Sequence, residues 1–487
     1  MTIAESKSQD LSYQELLDLD THEVNPTLRL TSDEDFGTIN IPTDRYTSQE
    51  FFDLEVEKIW KKAWQMVCRE EHIPNVGDTY VYDIVGTSIL VVRSAPNEIK
   101  AFYNACLHRG RQLRECSGHA GDVIRCPFHA LAWHLDGTLE NLTTAWDFPQ
   151  VEPENFSLPE VKVASWEGWV FINMDPHCED FYQYIGDLPK HFEKWAPHKK
   201  FVSAHVAKRY PVNWKVAQEA FMEAFHVIAT HPQILTGTGD CNSQYDVFGN
   251  FSRAITPNAT PSPHLQWSPS EQEIFDAITD KRLDEDAMAN VPDGMTARAF
   301  AAKVARDRLR PAVPNVDEYC DAEVNDSMYF TLFPNFHPWG AFNRINYRFR
   351  PVGTKVDECL MECIYTEDFE GDDRPPPADY IELGIDQEWT EFDSILSPLE
   401  MRYFYVPGNH DISNSTMGKV WKQKYGYDYY HFRYKDVLFI TLNTMDDFVE
   451  NVKKCALASM RARFLEMCYF FKIKNFNSSN IYSNFFF

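Results

Sequence analysis

A chain of 487 residues is long enough for two or three domains, so a single compact unit is not expected. Its 73 acidic against 46 basic side chains leave a formal charge of −27, which repels phosphate backbones and anionic lipid and excludes nucleic acid and membrane surfaces as partners. The opening MTIAESKSQD lacks the basic and apolar regions of a leader, no run of about 18 apolar residues is present, and eleven scattered cysteines without an export signal argue against a disulfide framework. A soluble cytoplasmic protein is expected, and cysteines found beside histidines are read first as metal ligands.

Residues 1–44 are polar and acidic and read as an N-terminal arm. From Thr79 the text turns strand-like, in YVYDIVGTSILVVR and IKAFYNAC, and short strands with Gly-bearing turns continue through Trp166-Glu167-Gly168-Trp169. This predicts a small β domain over 45–178. NWKVAQEAFMEAFHVIATHP has helical patterning, and the Pro-, Asn- and Ser-rich stretch from Asp240 to Asp276 reads as a loop or lid. Strand signals return in MYFTLFPNFHP, INYRFRPVG and ECLMECIYTED, after which DDRPPPADYIELG reads as a turn entering another helix. Helices interleaved with strands predict an α+β second domain over 179–396. No internal repeat is present.

Two constellations carry chemistry. Cys106-Leu107-His108 and Cys126-Pro127-Phe128-His129 are separated by 17 residues, each where strand-like text breaks into loop. A Rieske [2Fe-2S] centre needs two thiolates on one iron and two imidazoles on the other, which two loops of one Cys and one His each supply. A structural zinc ion accepts the same four donors, although zinc fingers pair Cys with Cys and His with His at short spacing. His119, His134 and Cys116 have no comparable partner and read as ordinary loop or core residues. In the second constellation Glu219, Glu223 and His226 fall at i, i+4 and i+7, one face of a helix, with His231 five residues beyond His226. Five residues turn a regular helix about 140° off that face, so both imidazoles reach one ion only if the helix ends or bulges there; Pro232 predicts an ending. Two histidines and a carboxylate suit mononuclear iron(II) with positions open for O₂. The alternative is a solvated Glu/His stripe on an amphipathic helix, in tension with the apolar setting AFMEAFHVIAT.

Together CLHRGRQL, CPFHALAW, NWKVAQEAFMEAFHVIATHP and FPNFHPWGAFNRINYRFRP resemble the large (alpha) subunits of Rieske-type aromatic ring-hydroxylating oxygenases, from about Ile41 to about Leu396. The resemblance implies an α+β chain: an all-β Rieske domain followed by a helix-grip catalytic domain. It implies that Cys106, His108, Cys126 and His129 bind the cluster and that His226 and His231 bind a mononuclear Fe(II). Glu223 then takes the place of the acidic residue that bridges a cluster histidine of one subunit to the iron site of the next. The implied reaction inserts oxygen from O₂ into an aromatic or other small apolar substrate. Electrons pass from NAD(P)H through a ferredoxin or flavin reductase to the cluster and then to iron, in a homotrimer or alpha/beta hexamer. Phe221, Met222, Phe225 and Phe336 are expected to line the cavity, and Arg109, Arg111, Arg114 and Arg125 to steer an acidic electron donor.

The third iron ligand implied by the resemblance is an Asp on a later helix, and no matching Asp is found. EWTEFDSILSPLEMRYFYVPGNHDISN begins in the family's style and then departs, with Asp393 earlier than expected. Residues Tyr405 to Asp411 with KDVLFITLNTM instead resemble a calcineurin-like metallophosphoesterase, without its other ligand motifs. We read 397–447 as a phosphoesterase-like fragment and 448–487 as a tail of uncertain origin, as in a chimeric reading frame. The competing functions are a metallophosphoesterase fragment and an inactive electron-carrying remnant.

Overall fold

The computed structural model describes residues 11–32, 37, 38, 40–279, 289–369, 371 and 373–383, and beyond them Thr390, Ser394, Ser397, residues 422–424 and a hairpin of Tyr430–Tyr434 with Val437–Thr441. Asp393, the Gly408–Asp411 segment and the tail 448–487 lie outside the described residues. The chain separates into two compact units, 1–383 and 384–487. Among the described residues no helix is long and apolar enough to cross a membrane.

The N-terminal half of the first unit is built from strands β1 (Gln65–Arg69), β2 (Asp78–Ile84), β3 (Thr87–Ala95), β4 (Glu98–Tyr103), β5 (Gly118–His119), β6 (Val123–Arg125), β7 (Ala132–His134), β8 (Leu139–Asn141), β9 (Glu160–Trp166) and β10 (Trp169–Asn173). Seven of them form an antiparallel sheet ordered β1-β10-β9-β4-β3-β2-β5, and β6-β7-β8 form a second, small one. The apolar run of β3 is buried on consecutive residues, so it sits between two layers, whereas strict alternation would mark a half-exposed strand. The β9–β10 hairpin turns on Glu167 and Gly168, both with positive φ (52° and 79°), the mirror-image two-residue turn that matches strand twist. A Cβ on Gly168 would lie 2.8 Å from the Arg69 guanidinium.

In the C-terminal half, β11 (Lys200–Tyr210), β12 (Gln244–Phe248), β13 (Phe251–Thr256), β14 (Ser327–Leu332), β15 (His337–Pro338), β16 (Ile345–Pro351), β17 (Cys359–Asp368) and β18 (Tyr380–Leu383) make two further sheets. One is ordered β15-β16-β17-β11-β18 and the other β12-β13-β14. Burial alternates along β17, so one face of the larger sheet packs inward. The helices that matter here are α1 (Trp214–Glu219), α2 (Val227–Thr230), α3 (Glu271–Ile278) and α4 (Ala297–Leu309).

Three local expectations are corrected. The stretch Asp240 to Asp276 is not a loop: it carries β12 and β13 and begins α3, because pairing with β14 supplies the stability that its Asn/Ser-rich composition withholds. YIEL of DDRPPPADYIELG does not enter a helix but pairs parallel to β11 as β18. The helix expected through Asn213 to His231 is two short helices with a break between Ala220 and His226.

The two halves share their core: Met66, Trp169 and Phe171 pack with Phe330, Leu332 and Phe336. Polar groups pin the same seam. A register shift between Met66 and Cys68 breaks the β1 ladder, and Asn335 fills the gap, accepting from Met66 N–H (2.9 Å) and donating to Met66 C=O (3.1 Å). Arg348 donates to Val67 C=O and pairs with Glu362, which also meets Arg350 at 2.9 Å. Burial alone would raise the Glu362 carboxyl; Arg348 and Arg350 overcome it and hold it well below the usual carboxylate range. The N-terminal segment also docks on this unit: Tyr13 and Leu17 are buried, and Asn25 donates to Glu323 at 2.9 Å.

Candidate functional site

The two Cys/His loops are copies of one turn. Cys106 C=O accepts from Gly110 N–H at 2.8 Å and Cys106 N–H donates to Arg111 C=O at 2.8 Å; Cys126 C=O accepts from Ala130 N–H at 3.1 Å and Cys126 N–H donates to Leu131 C=O at 2.8 Å. The residue that closes each turn is left-handed, Gly110 at φ 71° and Ala130 at φ 61°. This geometry sends each cysteine inward and each histidine outward. Cys106 and Cys126 are 3% and 1% exposed in a core with Leu113, Ile124, Leu131 and Trp133, while His108 and His129 are solvent-exposed.

The four donors converge in pairs by type. His108 Nδ1 and His129 Nδ1 lie 3.2 Å apart. Two nitrogens bound to one ion at about 2.1 Å sit about 3.4 Å apart in a tetrahedron, so the imidazole pair fits a single iron. Burial raises the Cys106 thiol above its ordinary value and the neighbouring Cys126 thiol adds to this, while the backbone N–H groups of His108 and Arg109 donate to the sulfur and oppose it. Those same donors would stabilise a thiolate bound to a cluster iron and raise its potential. Thr143 Oγ1 donates to His129 C=O at 2.8 Å and steadies the second loop, a contact with no signal in the sequence.

Of the four arginines near the loops, Arg111 is paired with Glu115, and Arg114 and Arg125 each donate to a backbone carbonyl at 3.3 Å. His119 is bound to Asp78 at 2.9 Å.

The second centre arises at the break between α1 and α2. His226 caps the start of α2 and His231 its end, where the backbone leaves helical geometry (φ −130°, ψ 47°) before Pro232. The rings come to 5.4 Å between centroids. The helix thus ends where the two imidazoles require it. Glu223 is not on a common helical face with Glu219 and His226, because the helix is interrupted between them; it reaches His226 by a turn. Its carboxylate accepts from His226 N–H at 3.0 Å and pairs with His226 Nδ1 at 2.8 Å. With Nδ1–H held by a carboxylate, Nε2 presents its lone pair, the usual arrangement around a metal-binding histidine. Glu219 is engaged elsewhere, accepting from Tyr46 Oη at 2.8 Å. Tyr245 Oη accepts from Ala224 N–H at 2.9 Å and helps to fix the break.

The chemistry of the donors fits an iron(II), but the set is two imidazoles. Among the described residues, no group of three His, Cys, Asp or Glu side chains that includes His226 and His231 has all its ligating atoms within 4.8 Å of one another.

The expected lining residues separate. Phe221 packs on Tyr347 and Phe349 at 4.9 and 5.5 Å, beside Met222 in the break. Phe336 is 1% exposed in the shared core against Trp169 and Phe171, so it is a packing residue, and Phe225 is 80% exposed. Beyond Phe221 lie Tyr329, Trp339 and Tyr347, with centroids 5.7, 6.2 and 6.4 Å apart. The Tyr329 hydroxyl and Trp339 indole N–H are buried without a protein partner. Such groups call for water or ligand. Period-two alternation in MYFTL and INYRFRP marks these residues as strand residues, but not which face meets the break that carries Glu223 and His226.

Comparison with known proteins bears on both centres. Residues 63–152 match the Rieske [2Fe-2S] domain, and residues 191–379 match the ring hydroxylating alpha subunit (catalytic domain). The two matches imply a [2Fe-2S] cluster and a mononuclear iron. The carnitine monooxygenase oxygenase subunit of Escherichia coli (strain K12) is 34% identical over 194 residues, 39% of this chain and 52% of that one. The anthranilate 1,2-dioxygenase large subunit of Acinetobacter baylyi is 28% identical over 202 residues, 40% and 43% of the two chains. The glycine betaine monooxygenase oxygenase subunit of Pseudomonas aeruginosa is 27% identical over 202 residues, 41% and 46%. The chain spans about half the length of these relatives. A quaternary ammonium Rieske monooxygenase structure superimposes with a TM-score of 0.50 at 21% identity, covering 73% of this chain and 81% of the other, and shares the fold.

Proposed function

From the premise that this chain belongs to the Rieske-type ring-hydroxylating oxygenases as a large (alpha) subunit, we propose that it is an oxygenase component inserting oxygen from O₂ into a small organic substrate. The observation that carries the reading is the pairing of both donor sets in one chain: converging thiols and imidazoles at 106–129, and a carboxylate-held histidine at 226. When bound, the cluster would store an electron and the mononuclear iron(II) would activate O₂. Buried Cys106 and Cys126 would hold the cluster by thiolates kept from water, and exposed His108 and His129 would hold it by imidazoles at the surface. Glu223, about a third exposed, holds the proton at His226 Nδ1 where the exposed histidine edge of a neighbouring copy can meet it. Assembly as a homotrimer or alpha/beta hexamer, supply of NAD(P)H electrons through a ferredoxin or flavin reductase, and a cytoplasmic location belong to the same proposal. Arg109, Arg114 and Arg125 keep positive charge for donor docking, since Arg114 and Arg125 meet only neutral carbonyls while Arg111 pairs with Glu115, and reduction rates insensitive to ionic strength would count against this role.

For the substrate we favour a small quaternary ammonium compound over an aromatic hydrocarbon. Two of the relatives are named for carnitine and glycine betaine. The Tyr329, Trp339 and Tyr347 rings are too close to enclose a trimethylammonium group but can form one wall, where a permanent cation gains from the ring faces. Purified, cluster-loaded chain with a reductase is offered carnitine, glycine betaine, anthranilate and naphthalene, and product is measured against NAD(P)H consumed. Turnover of the trimethylammonium compounds is expected at least tenfold above naphthalene; the reverse order rejects this assignment.

A second reading is favoured by the missing third ligand among the described residues: a cluster that forms in a chain that oxygenates poorly, an electron-carrying remnant. It is tested by replacing the residues after Leu396 with a helix bearing an Asp-x-x-Asn segment. Higher iron occupancy and turnover in the replaced chain support the remnant, and equal values show that the present C-terminus supplies a ligand.

A further inference from the structure

A third group of metal-binding side chains lies outside both centres. Asp240 and Cys241 sit in a tight turn, Asp240–Asn242, that leads into β12, and His264 comes from the loop after β13. Their ligating atoms all lie within 4.8 Å of one another. Cys241 Sγ is 3.0 Å from His264 Nε2, and His264 Nε2 is 3.8 Å from Asp240 Oδ2.

The carboxylate is the telling member. Its side chain is 1% exposed, and Oδ1 accepts from Cys241 N–H at 2.9 Å and from Ser262 Oγ at 2.6 Å. Oδ2 is buried with no hydrogen-bond partner. The imidazole at 3.8 Å is too far to donate to it, and a buried carboxylate oxygen without a donor is costly. A bound cation would remove that cost. Ser262 organises both sides, since its Oγ also accepts from His264 N–H at 3.1 Å. Cys241 and His264 are exposed, so an ion has a path in, and Cys241 is outside any disulfide.

We propose that Asp240, Cys241 and His264 form an additional metal site, for a zinc-class divalent transition ion held by one sulfur, one nitrogen and one oxygen with a fourth position open to solvent. A thiolate donor argues against magnesium and calcium, which take oxygen ligands. In a tetrahedron with ordinary zinc bond lengths, sulfur and nitrogen lie about 3.5 Å apart and oxygen and nitrogen about 3.3 Å. A small rotation of His264 moves both observed distances toward these values. The ion would clip the segment that leaves His231 to the loop after β13, which already touch through Ser262 N–H and Leu235 C=O at 2.8 Å. The site is independent of the substrate assignment and of the missing iron ligand.

The test uses the full chain carrying its [2Fe-2S] cluster, with Co²⁺ as probe. One Co²⁺ per chain is expected to give a sulfur-to-cobalt charge-transfer band in the difference spectrum at constant cluster content. The band should persist in His226→Ala, disappear in Cys241→Ser, and require at least tenfold more Co²⁺ in His264→Ala. Cobalt uptake without the band, or an unchanged band in Cys241→Ser, overturns the proposal. A second measurement needs no variant: Zn²⁺ should slow alkylation of Cys241, followed by peptide mass mapping, at least tenfold. An unchanged rate also overturns it.

Discussion

A carboxylate that engages both the backbone N–H and Nδ1 of one histidine, as Glu223 does with His226, leaves Nε2 alone to meet an ion. Glu223→Gln keeps the shape but loses the charge that favours a proton on Nδ1. With iron in excess both centres should still fill, and single-turnover reoxidation of the cluster should slow by about tenfold or more. An unchanged stopped-flow rate would remove Glu223 from the electron path. At the other centre, about two irons and two acid-labile sulfides per chain are expected, and Cys106→Ser should abolish both. One tightly bound zinc without sulfide would convert the site to a structural one. These donors were legible in the sequence because cysteine and histidine in fixed short spacing have few other uses. The Glu223–His226 contact was legible as a pair but not in its geometry, since helical periodicity cannot foresee a break made by the packing around it.

At the scale of elements, both cluster loops close on a left-handed residue. Gly110 adopts φ 71° with no atom near its absent Cβ, so Gly110→Ala tests backbone strain alone. It should destabilise the chain by about 1 kcal/mol, read as a shift in the urea midpoint, without loss of cluster sulfide. Ala130 already bears that strain at φ 61°. The seam between the halves depends on β1, whose irregular register leaves Met66 to Asn335. Asn335→Ala strands a buried donor and acceptor and should lower stability by about 2 kcal/mol or more; a shift in midpoint worth under 1 kcal/mol would mean that water replaces the amide. The strands β2, β3, β4, β16 and β17 could be read from β-branched and aromatic runs. The β12–β13 hairpin and β18 could not, because each is anchored by a strand far along the chain, β14 and β11, and sits in a stretch rich in turn-forming residues.

For the whole molecule, acid is the revealing variable. Burial lowers His72 and His337 to about 3 and His191 to about 4, with His205 adding to the effect at His72. Their unfolded values are near 6.5, so between about pH 6.5 and 4 the unfolded chain binds more protons. The stability these neutral rings confer is complete above about pH 6.5 and is lost as pH falls toward their folded values, at about 1.4 kcal/mol per pH unit for each. Glu362, held below the usual range, adds a loss that begins only below about pH 4.3. Urea midpoints should therefore be level near neutrality and fall steadily from about pH 6 downward. A level profile to pH 4.5 would show that the buried histidines are protonated at little cost.

By itself the sequence determined which residues are candidate donors at the two expected centres, the all-β then α+β order and the net acidic charge, because each depends on residue type and near-neighbour spacing. Only the tertiary structure decided which donors meet. It turned the cysteines of both loops inward and the histidines outward, ended a helix at His231, and brought His264 to Asp240 and Cys241 across a hairpin. It also moved Phe336 from expected cavity wall to shared core. Convergence of this kind is set by strand register and by burial summed over distant segments, and neither is written in any short stretch of chain.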